Sequence, residues 1–221
     1  ITSAQGVVPG NNVLNLVGSM ATTDLIHNVE QLQNFRPQYL RGYVSSLYLL
    51  ARYVVDNDIK ISGVLSVNPI SENLYDYQRE VMHAAFGCPV FEEYVCNDGG
   101  ACAWECDAHA GLHYSMERAI IEEIDGEMIV TDLWNMAMPF IRYRNGDAVT
   151  FLPGKCACGR QLPLVKVKGR TNDIIISPTG LVSPSFLLHH GCGIATVDTD
   201  SRFVRGIMAV QYIQLPNYVL K

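Results

Sequence analysis

The residue pattern of this chain changes character at Gly99-Gly100, and that break limits the fold more than any other feature. Upstream of it, apolar residues at helical spacing alternate with short apolar runs. Leu25, Ile26, Val29 and Leu32 trace one helix face, with Thr23 or Asp24 as cap. Phe35-Arg36-Pro37 stops that helix, since proline and the residue before it resist helical geometry. A second helix follows Ser45-Ser46 with Leu47, Leu50, Ala51, Val54 and Val55 on one face, and Asp56-Asn57-Asp58 closes it. Ile59 to Val67 reads as a short buried strand. A third helix carries Leu74, Tyr77, Val81, Ala84 and Ala85, stops at Gly87, and leads to a strand from Val90 to Tyr94. Alternation of this kind predicts a parallel or mixed sheet flanked by helices.

Downstream the punctuation is that of hairpins. Ile120 to Ile124, Asp125-Gly126 and Met128 to Leu133 form a strong hairpin signal, because Asp-Gly supplies the positive φ angles of a tight turn. Phe140 to Arg144, Asn145-Gly146 and Val149 to Leu152 predict a second hairpin. Leu164 to Lys168 and Ile174 to Ile176 add two strands, and Pro178-Thr179-Gly180 a turn. Ser183-Pro184 is a good cap and first position for a helix through Leu188. An α/β half is thus followed by a β-rich segment and by the start of something smaller.

The 221 residues carry a formal net charge of −6, which argues against non-specific nucleic-acid binding, because polyphosphate needs a basic face. No apolar run reaches the roughly 18 residues of a membrane span; Leu47 to Val55 is broken by Arg52. The start, ITSAQGVVPGNN, lacks the basic opening and apolar centre of a secretory signal. Seven cysteines in that setting read as free thiols or metal ligands rather than a disulfide framework, and the expected location is cytoplasmic. The chain begins without Met and stops in what reads as a strand, Tyr218 to Lys221, so a fragment of a longer protein is expected.

Three constellations carry chemistry. Cys156-Ala157-Cys158-Gly159 sets two thiols close enough to share one metal, and a structural zinc wants four N or S ligands. Cys106 and His113 are the nearest further candidates, with Cys102 and His109 as substitutes; the competing reading is unpaired thiols on a β surface. Cys88, Cys96 and Cys192 stand singly and read as small buried residues. Arg142, Arg144 and Asp147, with Arg170 and Asp173 downstream, pair a carboxylate suited to a hydroxyl pair with guanidiniums suited to phosphate or carboxylate. On spacing alone, a solvated hairpin whose charges pair with each other is the simpler account. Third, Tyr94-Val95-Cys96-Asn97-Asp98-Gly99-Gly100 follows a strand, where open α/β sheets bind ligands, although by itself it reads equally as a connection. Gly-rich Lys-Ser/Thr phosphate loops, Gly-x-Ser-x-Gly elbows and supported Cys/His nucleophile pairs are absent.

In order along the chain, these segments resemble the C-terminal half of an adenylate-forming enzyme, in its phenylacetate–coenzyme A ligase branch. Phe35 to Tyr43 resembles the family's P-x-Y-L-x-G-Y segment, and Ser71-Glu72-Asn73-Leu74 with Arg79 its x-E-x-L…R helix start. Tyr94 to Gly100 resembles the Tyr-Gly-x-x-Glu/Asp-Gly adenine-side loop. Ile141 to Asp147 resembles R-Y-R-T-G-D, and Gly169 to Asp173 the G-R-x-x-D junction. The ordered set covers about residues 6–188. It implies an α/β mixed sheet flanked by helices, then a β-rich, barrel-like subdomain and the start of a small α+β C-terminal domain. In those terms residues 1–170 are the C-terminal part of the large AMP-binding domain, α/β over 1–100 and β-rich over 101–170, and 171–221 open the small domain.

The resemblance further implies that a carboxylate, aryl acids included, is activated with ATP and Mg²⁺ to an acyl-adenylate and passed to coenzyme A. Asp147 would hold the ribose hydroxyls, Arg170 the ribose or phosphate side, Tyr94 the adenine, and Asp98 the magnesium-bound phosphates. Cys96, Asn97 and Arg144 would line the same nucleotide edge, and Thr171 to Asp173 would form the hinge. Adenylation needs charge neutralisation and positioning more than a dedicated nucleophile, which suits these residue types. Cys106, His113, Cys156 and Cys158 would hold a bracing zinc. Partners would be small molecules, without nucleic acid or membrane, and a homodimer is left open. Val95 stands in place of the family's glycine, Asp98 of its glutamate and Asn145 of its threonine. The Ser/Thr/Gly-rich phosphate loop and the C-terminal lysine of the family are missing, so this chain alone is expected to be inactive. The rival expectation is a non-catalytic, zinc-stabilised relative acting as a nucleotide-binding or scaffold domain.

Overall fold

The computed structural model describes residues 6–8, 13–16, 22–171, 175–177 and 180–182. Strands β1 (Gly6–Val8) and β2 (Val13–Asn15) make a short antiparallel ribbon. Helix α1 (Thr22–Phe35) buries Leu25, Val29 and Leu32 of the stripe that the spacing predicts, whereas Ile26 is exposed. Strand β3 (Tyr39–Tyr43) runs directly into α2 (Val44–Asp56), whose Val44, Leu47, Leu50, Ala51 and Val54 are buried. Glu72 braces the start of that helix, accepting hydrogen bonds from the Ser45 N–H (2.7 Å) and hydroxyl (3.0 Å). Strand β4 (Ser66–Ile70) pairs parallel to β3, and Val67 also bridges parallel to Val90. Helix α3 (Asp76–Phe86) ends at Gly87, whose φ of 65° lets its N–H bond the His83 carbonyl at 2.8 Å. These elements enclose one core centred on Leu32, Leu50, Val67 and Met82, so the α/β reading of this half stands.

Two strand boundaries differ from expectation. Ile59 to Leu65 is a loop, and pairing begins only at Ser66. Buried Ile61 and Val64 are three residues apart around Gly63 (φ 92°), which is not strand alternation. Likewise only Val90 and then β5 (Glu93–Val95) pair in the predicted Val90–Tyr94 strand.

The remaining strands are β6 (Cys102–Glu105), β7 (Leu112–Tyr114), β8 (Ala119–Ile124), β9 (Glu127–Asp132), β10 (Tyr143–Leu152) and β11 (Leu164–Arg170). With β5 they form one antiparallel sheet in the order β5-β6-β7-β11-β10-β9-β8. Asp125 and Gly126 (φ 54° and 80°) make the tight β8–β9 turn. A second core lies on this sheet around Leu112, Ile121, Val130, Val149 and Val165. The ribbon β12 (Ile175–Ser177) and β13 (Gly180–Val182) follows, and the helix expected from Ser183 lies outside the described residues. No helix among the described residues is long and apolar enough to cross a membrane.

The second predicted hairpin is corrected. Phe140 to Leu152 does not fold back at Asn145-Gly146; residues 143–152 are one strand with β9 on one side and β11 on the other. A tight two-residue hairpin turn, type I′ or II′, needs positive φ at its first central position, and Asn145 does not have it; only Gly146 (φ 81°) does. Asn145 instead accepts a hydrogen bond from the Asp147 N–H (3.0 Å), which produces a bulge: on β9, the register jumps from Arg144↔Ile129 to Ala148↔Glu127.

Candidate nucleotide-binding edge and metal centre

The bulge sets the geometry of the site. Three residues of β10, Asn145 to Asp147, oppose the single residue Met128 of β9, so the strand bends and re-aims the Asp147 carboxylate. Tyr94 approaches from β5, four steps away along the order β5-β6-β7-β11-β10. Flat, four steps would span roughly 19 Å. Yet the Tyr94 hydroxyl donates to Asp147 Oδ2 at 2.5 Å and lies 3.4 Å from Met128 Sδ. The sheet therefore curls nearly into a barrel, closed at this end by side chains; β5 and β8 themselves are not paired.

Asp147 is buried (7 % exposed), as is Asn145 (5 %). Asn145 Nδ2 lies 3.2 Å from Asp147 Oδ2 and 3.0 Å from the Tyr94 oxygen. Arg170, at the end of β11, donates through Nη1 to the Asn145 carbonyl (2.8 Å) and reaches Asp147 Oδ1 at 3.3 Å. Thr171 then donates its N–H (2.8 Å) and hydroxyl (3.1 Å) to the Gly146 carbonyl, pinning the start of the expected hinge to the bulge. Burial, and after it the hydrogen bond to Asp147, pushes the Tyr94 phenol well above its ordinary range, so Tyr94 is a fixed proton donor.

The structure thus brings Tyr94, Asp147 and Arg170 together and adds Asn145, which stands where the resembled motif has threonine. Cys96 sits at the margin, 3.5 Å from Asn145 Nδ2, its thiol donating to the Asp98 carbonyl at 3.0 Å. Asn97 and Asp98 are exposed at the loop tip. Arg144 turns elsewhere, paired with Glu127 at 2.6 Å, and Arg142 pairs with Glu122 at 3.0 Å. For these two arginines the simple account of charges pairing across a surface applies. Asp173 lies outside the described residues.

Arg118 was not singled out from the sequence. It makes a bidentate pair with Asp132, whose side chain is 1 % exposed, and its guanidinium lies 5.2 Å from the Trp134 ring. The same guanidinium packs on Gly100, where a Cβ would lie 2.4 Å from Cζ. Arg118 therefore holds down the glycine end of the Tyr94–Gly100 loop. The hairpin register contained the signal, since a two-residue turn at Asp125-Gly126 pairs Ala119 with Asp132 and puts residue 118 beside that carboxylate.

At the other end of the sheet, the ligand atoms of Cys106, His113, Cys156 and Cys158 all lie within 4.8 Å of one another. Cys106 and Cys156 sulfurs are 3.5 Å apart, and His113 Nε2 is 3.3 Å from Cys158 Sγ. His113 Nδ1 lies 3.2 Å from the Leu162 carbonyl, so Nδ1 carries the proton and Nε2 is left as the ligand nitrogen. The backbone N–H of Arg160 stabilises the Cys158 thiolate, lowering that thiol to about 6, whereas burial raises Cys106. Three sulfurs and an imidazole converging on one point fit a structural Zn²⁺. The substitutes stand apart: His109 stacks on Phe91 and pairs with Glu105, and Cys102 belongs to β6.

No protein-family model matches the chain. It is 31% identical over 163 residues to Protein CapK of Staphylococcus aureus, a match covering 70% of this chain and 36% of CapK. Among solved structures it resembles 2-hydroxyisobutyryl-CoA ligase, in the postadenylation state in complex with 2-HIB-AMP, with a TM-score of 0.64 and 18% identity over 75% of this chain and 39% of that one. It also resembles the amide bond synthetase McbA of Marinactinospora thermotolerans, with a TM-score of 0.54 and 18% identity, over 89% of this chain and 42% of McbA. The chain spans between a third and a half of the length of these proteins. What it shares with the two solved structures is the fold, a mixed α/β unit with a large antiparallel sheet, found in adenylate-forming ligases.

Proposed function

We propose that this chain is the nucleotide-binding part of an adenylate-forming acid–thiol ligase of the phenylacetate–coenzyme A ligase type. The observation that carries the proposal is the meeting of Tyr94, Asp147 and Arg170 across the curled sheet. A buried carboxylate beside an arginine at a strand end suits a ribose diol joined to a phosphate. On this reading Asp147 accepts hydrogen bonds from the ribose hydroxyls, and the half-exposed Arg170 turns from Asp147 toward the phosphate. Tyr94 borders the adenine, and the exposed Asp98 approaches magnesium-bound phosphates. Residues 171–221 open a small second domain, with Thr171 to Asp173 as its hinge. Cys106, His113, Cys156 and Cys158 hold a Zn²⁺ that braces the β7–β11 end of the sheet, away from the nucleotide. The substrates are a carboxylic acid, ATP and coenzyme A, and the protein works in the cytoplasm.

A second reading is favoured by one observation: both oxygens of Asp147 are already engaged within the chain, by Tyr94, Asn145 and Arg170. That arrangement also suits a non-catalytic relative that keeps the fold. ATP–pyrophosphate exchange by the full-length protein with a panel of aryl and hydroxy acids, together with calorimetry on AMP, separates the two. The ligase reading expects acid-dependent exchange, with AMP binding weakened at least about tenfold in Asp147→Ala. AMP binding without exchange for any acid supports the second reading, and failure of both measurements sinks the first.

A further inference from the structure

We propose that Asn145 is a positioning residue that sets the nucleotide edge's preference for a ribose diol; this rests on the reading of Asp147 as the ribose-facing carboxylate. Asn145 is buried and its two amide ends do different jobs. Oδ1 caps the bulge by accepting the Asp147 N–H at 3.0 Å. Nδ2 faces Asp147 Oδ2 at 3.2 Å and the Tyr94 oxygen at 3.0 Å, while the Tyr94 hydroxyl itself donates to that same Oδ2.

Oδ2 is therefore held by two donors from fixed elements. Oδ1 has a single 3.3 Å contact to Arg170, whose side chain is 55 % exposed and makes its shorter hydrogen bond, 2.8 Å, to the Asn145 carbonyl. The carboxylate is locked in rotation with one oxygen committed inward and the other keeping acceptor capacity. That is the presentation a vicinal diol requires, since a carboxylate has about four acceptor positions and neutral hydroxyl partners need them aimed. Without the Nδ2 donor the carboxylate can rotate, and the diol loses its fixed acceptor. Asn145 touches no part of the nucleotide on this account; it acts through Asp147.

Two variants test the role. Asn145→Ala removes both amide ends. Asn145→Thr installs the residue of the resembled motif, whose hydroxyl can accept the Asp147 N–H and can also donate. Affinities for AMP and for 2′,3′-dideoxy-AMP are measured by calorimetry on the full-length protein and both variants, with melting curves to confirm folding. The expected result is a wild-type preference for AMP of about tenfold or more, reduced to about twofold or less in Asn145→Ala and kept to within about threefold in Asn145→Thr, with dideoxy-AMP affinity unchanged. Parallel weakening of both nucleotides, or an unaltered preference in folded Asn145→Ala, overturns the positioning role while leaving the nucleotide reading in place. Failure of the wild type to bind AMP overturns both.

Discussion

The phenol oxygen of Tyr94 lies 2.5 Å from Asp147 Oδ2, although the two residues are 53 apart in sequence and four strand positions apart in the sheet. This bond closes the curled end of the sheet, so its loss is felt in stability as well as in any ligand bound there. Tyr94→Phe leaves Oδ2 with Asn145 alone and is expected to cost about 1–3 kcal/mol in urea unfolding at pH 7. A second signature follows from the phenol's raised pKa, caused first by burial and then by Asp147. Above the ordinary phenol range the folded protein keeps a proton that the unfolded chain releases. Stability from this group is complete below about pH 10 and falls as pH rises beyond it. Melts at pH 9 and 11 should show the wild type losing more stability than Tyr94→Phe.

Gly100 and Gly87 have nearly the same backbone angle, φ of 67° and 65°, and different surroundings. A Cβ on Gly87 meets nothing within 4 Å, so Gly87→Ala should cost only the left-handed strain, roughly 1–2 kcal/mol. A Cβ on Gly100 would sit 2.4 Å from the Arg118 guanidinium. That side chain can move only by leaving Asp132, and a buried carboxylate stripped of its partner is costly. Gly100→Ala is therefore expected to exceed Gly87→Ala by about 2 kcal/mol or more. Acid unfolding gives the check: hydrogen bonding from Arg118 holds the Asp132 carboxyl below its ordinary range. Its contribution is present above about pH 4 and lost as pH falls through the lowered value. Gly100→Ala should shed part of that acid sensitivity.

How much of this was legible in the sequence depended on whether the determining contact was local. The existence of the three helices and of the β8–β9 turn follows from spacing and from Asp125-Gly126, which act within a few residues. Even so, α3 buries Gln78, Met82 and Phe86, while the expected Val81 and Ala85 are partly buried and Ala84 is exposed. Asn145-Gly146 carries the same punctuation and misleads, because the Asn145 side chain accepts the backbone N–H of Asp147, two residues on, and β11 covers the far side of the strand. Strands β6 and β7 are four and three residues long, too short for alternation to register. The metal quartet was legible as a set of residue types, while its convergence needed the β7–β11 pairing that sets His113 opposite Leu164. For Arg118 the hairpin register implies only the neighbourhood of Asp132; its contacts with Gly100 and Trp134 exist only in the folded chain.

The quartet makes a prediction independent of the nucleotide. Protein purified without chelator should hold about one equivalent of zinc by elemental analysis, and Cys106→Ser or Cys156→Ser should lose most of it. Cys88→Ser, a buried thiol in the other core, should keep it. A metal present at 100 times its dissociation constant stabilises by about 2.7 kcal/mol, and a domain of this size moves about 2–4 °C per kcal/mol. Chelation should thus lower Tm by roughly 5–10 °C. Full zinc occupancy in Cys156→Ser would refute the site.

The last prediction concerns a carboxyl that the nucleotide edge does not use. Glu105 is committed to a two-pronged pair with Arg79 (2.9 and 3.1 Å) and accepts the Glu92 N–H at 2.8 Å. The Glu92 carboxyl lines the same cavity of ≈ 600 Å³, beside Glu105 and without Arg79 to itself. Burial first, and then the Glu105 charge, raises it from 4.5 to about 7, with Arg79 and Lys166 pulling the other way. Between those two values the folded protein holds a proton that the unfolded chain has released. The group's contribution is therefore complete below pH 4.5, declines as pH rises, and is gone above about 7. Glu92→Gln keeps the shape and removes the titration. It should match the wild type near pH 4.5 and exceed it by roughly 2–3 kcal/mol at pH 8. Denaturant melts at the two pH values decide the matter, and parallel pH dependence in wild type and variant would show that Glu92 titrates as an ordinary surface acid.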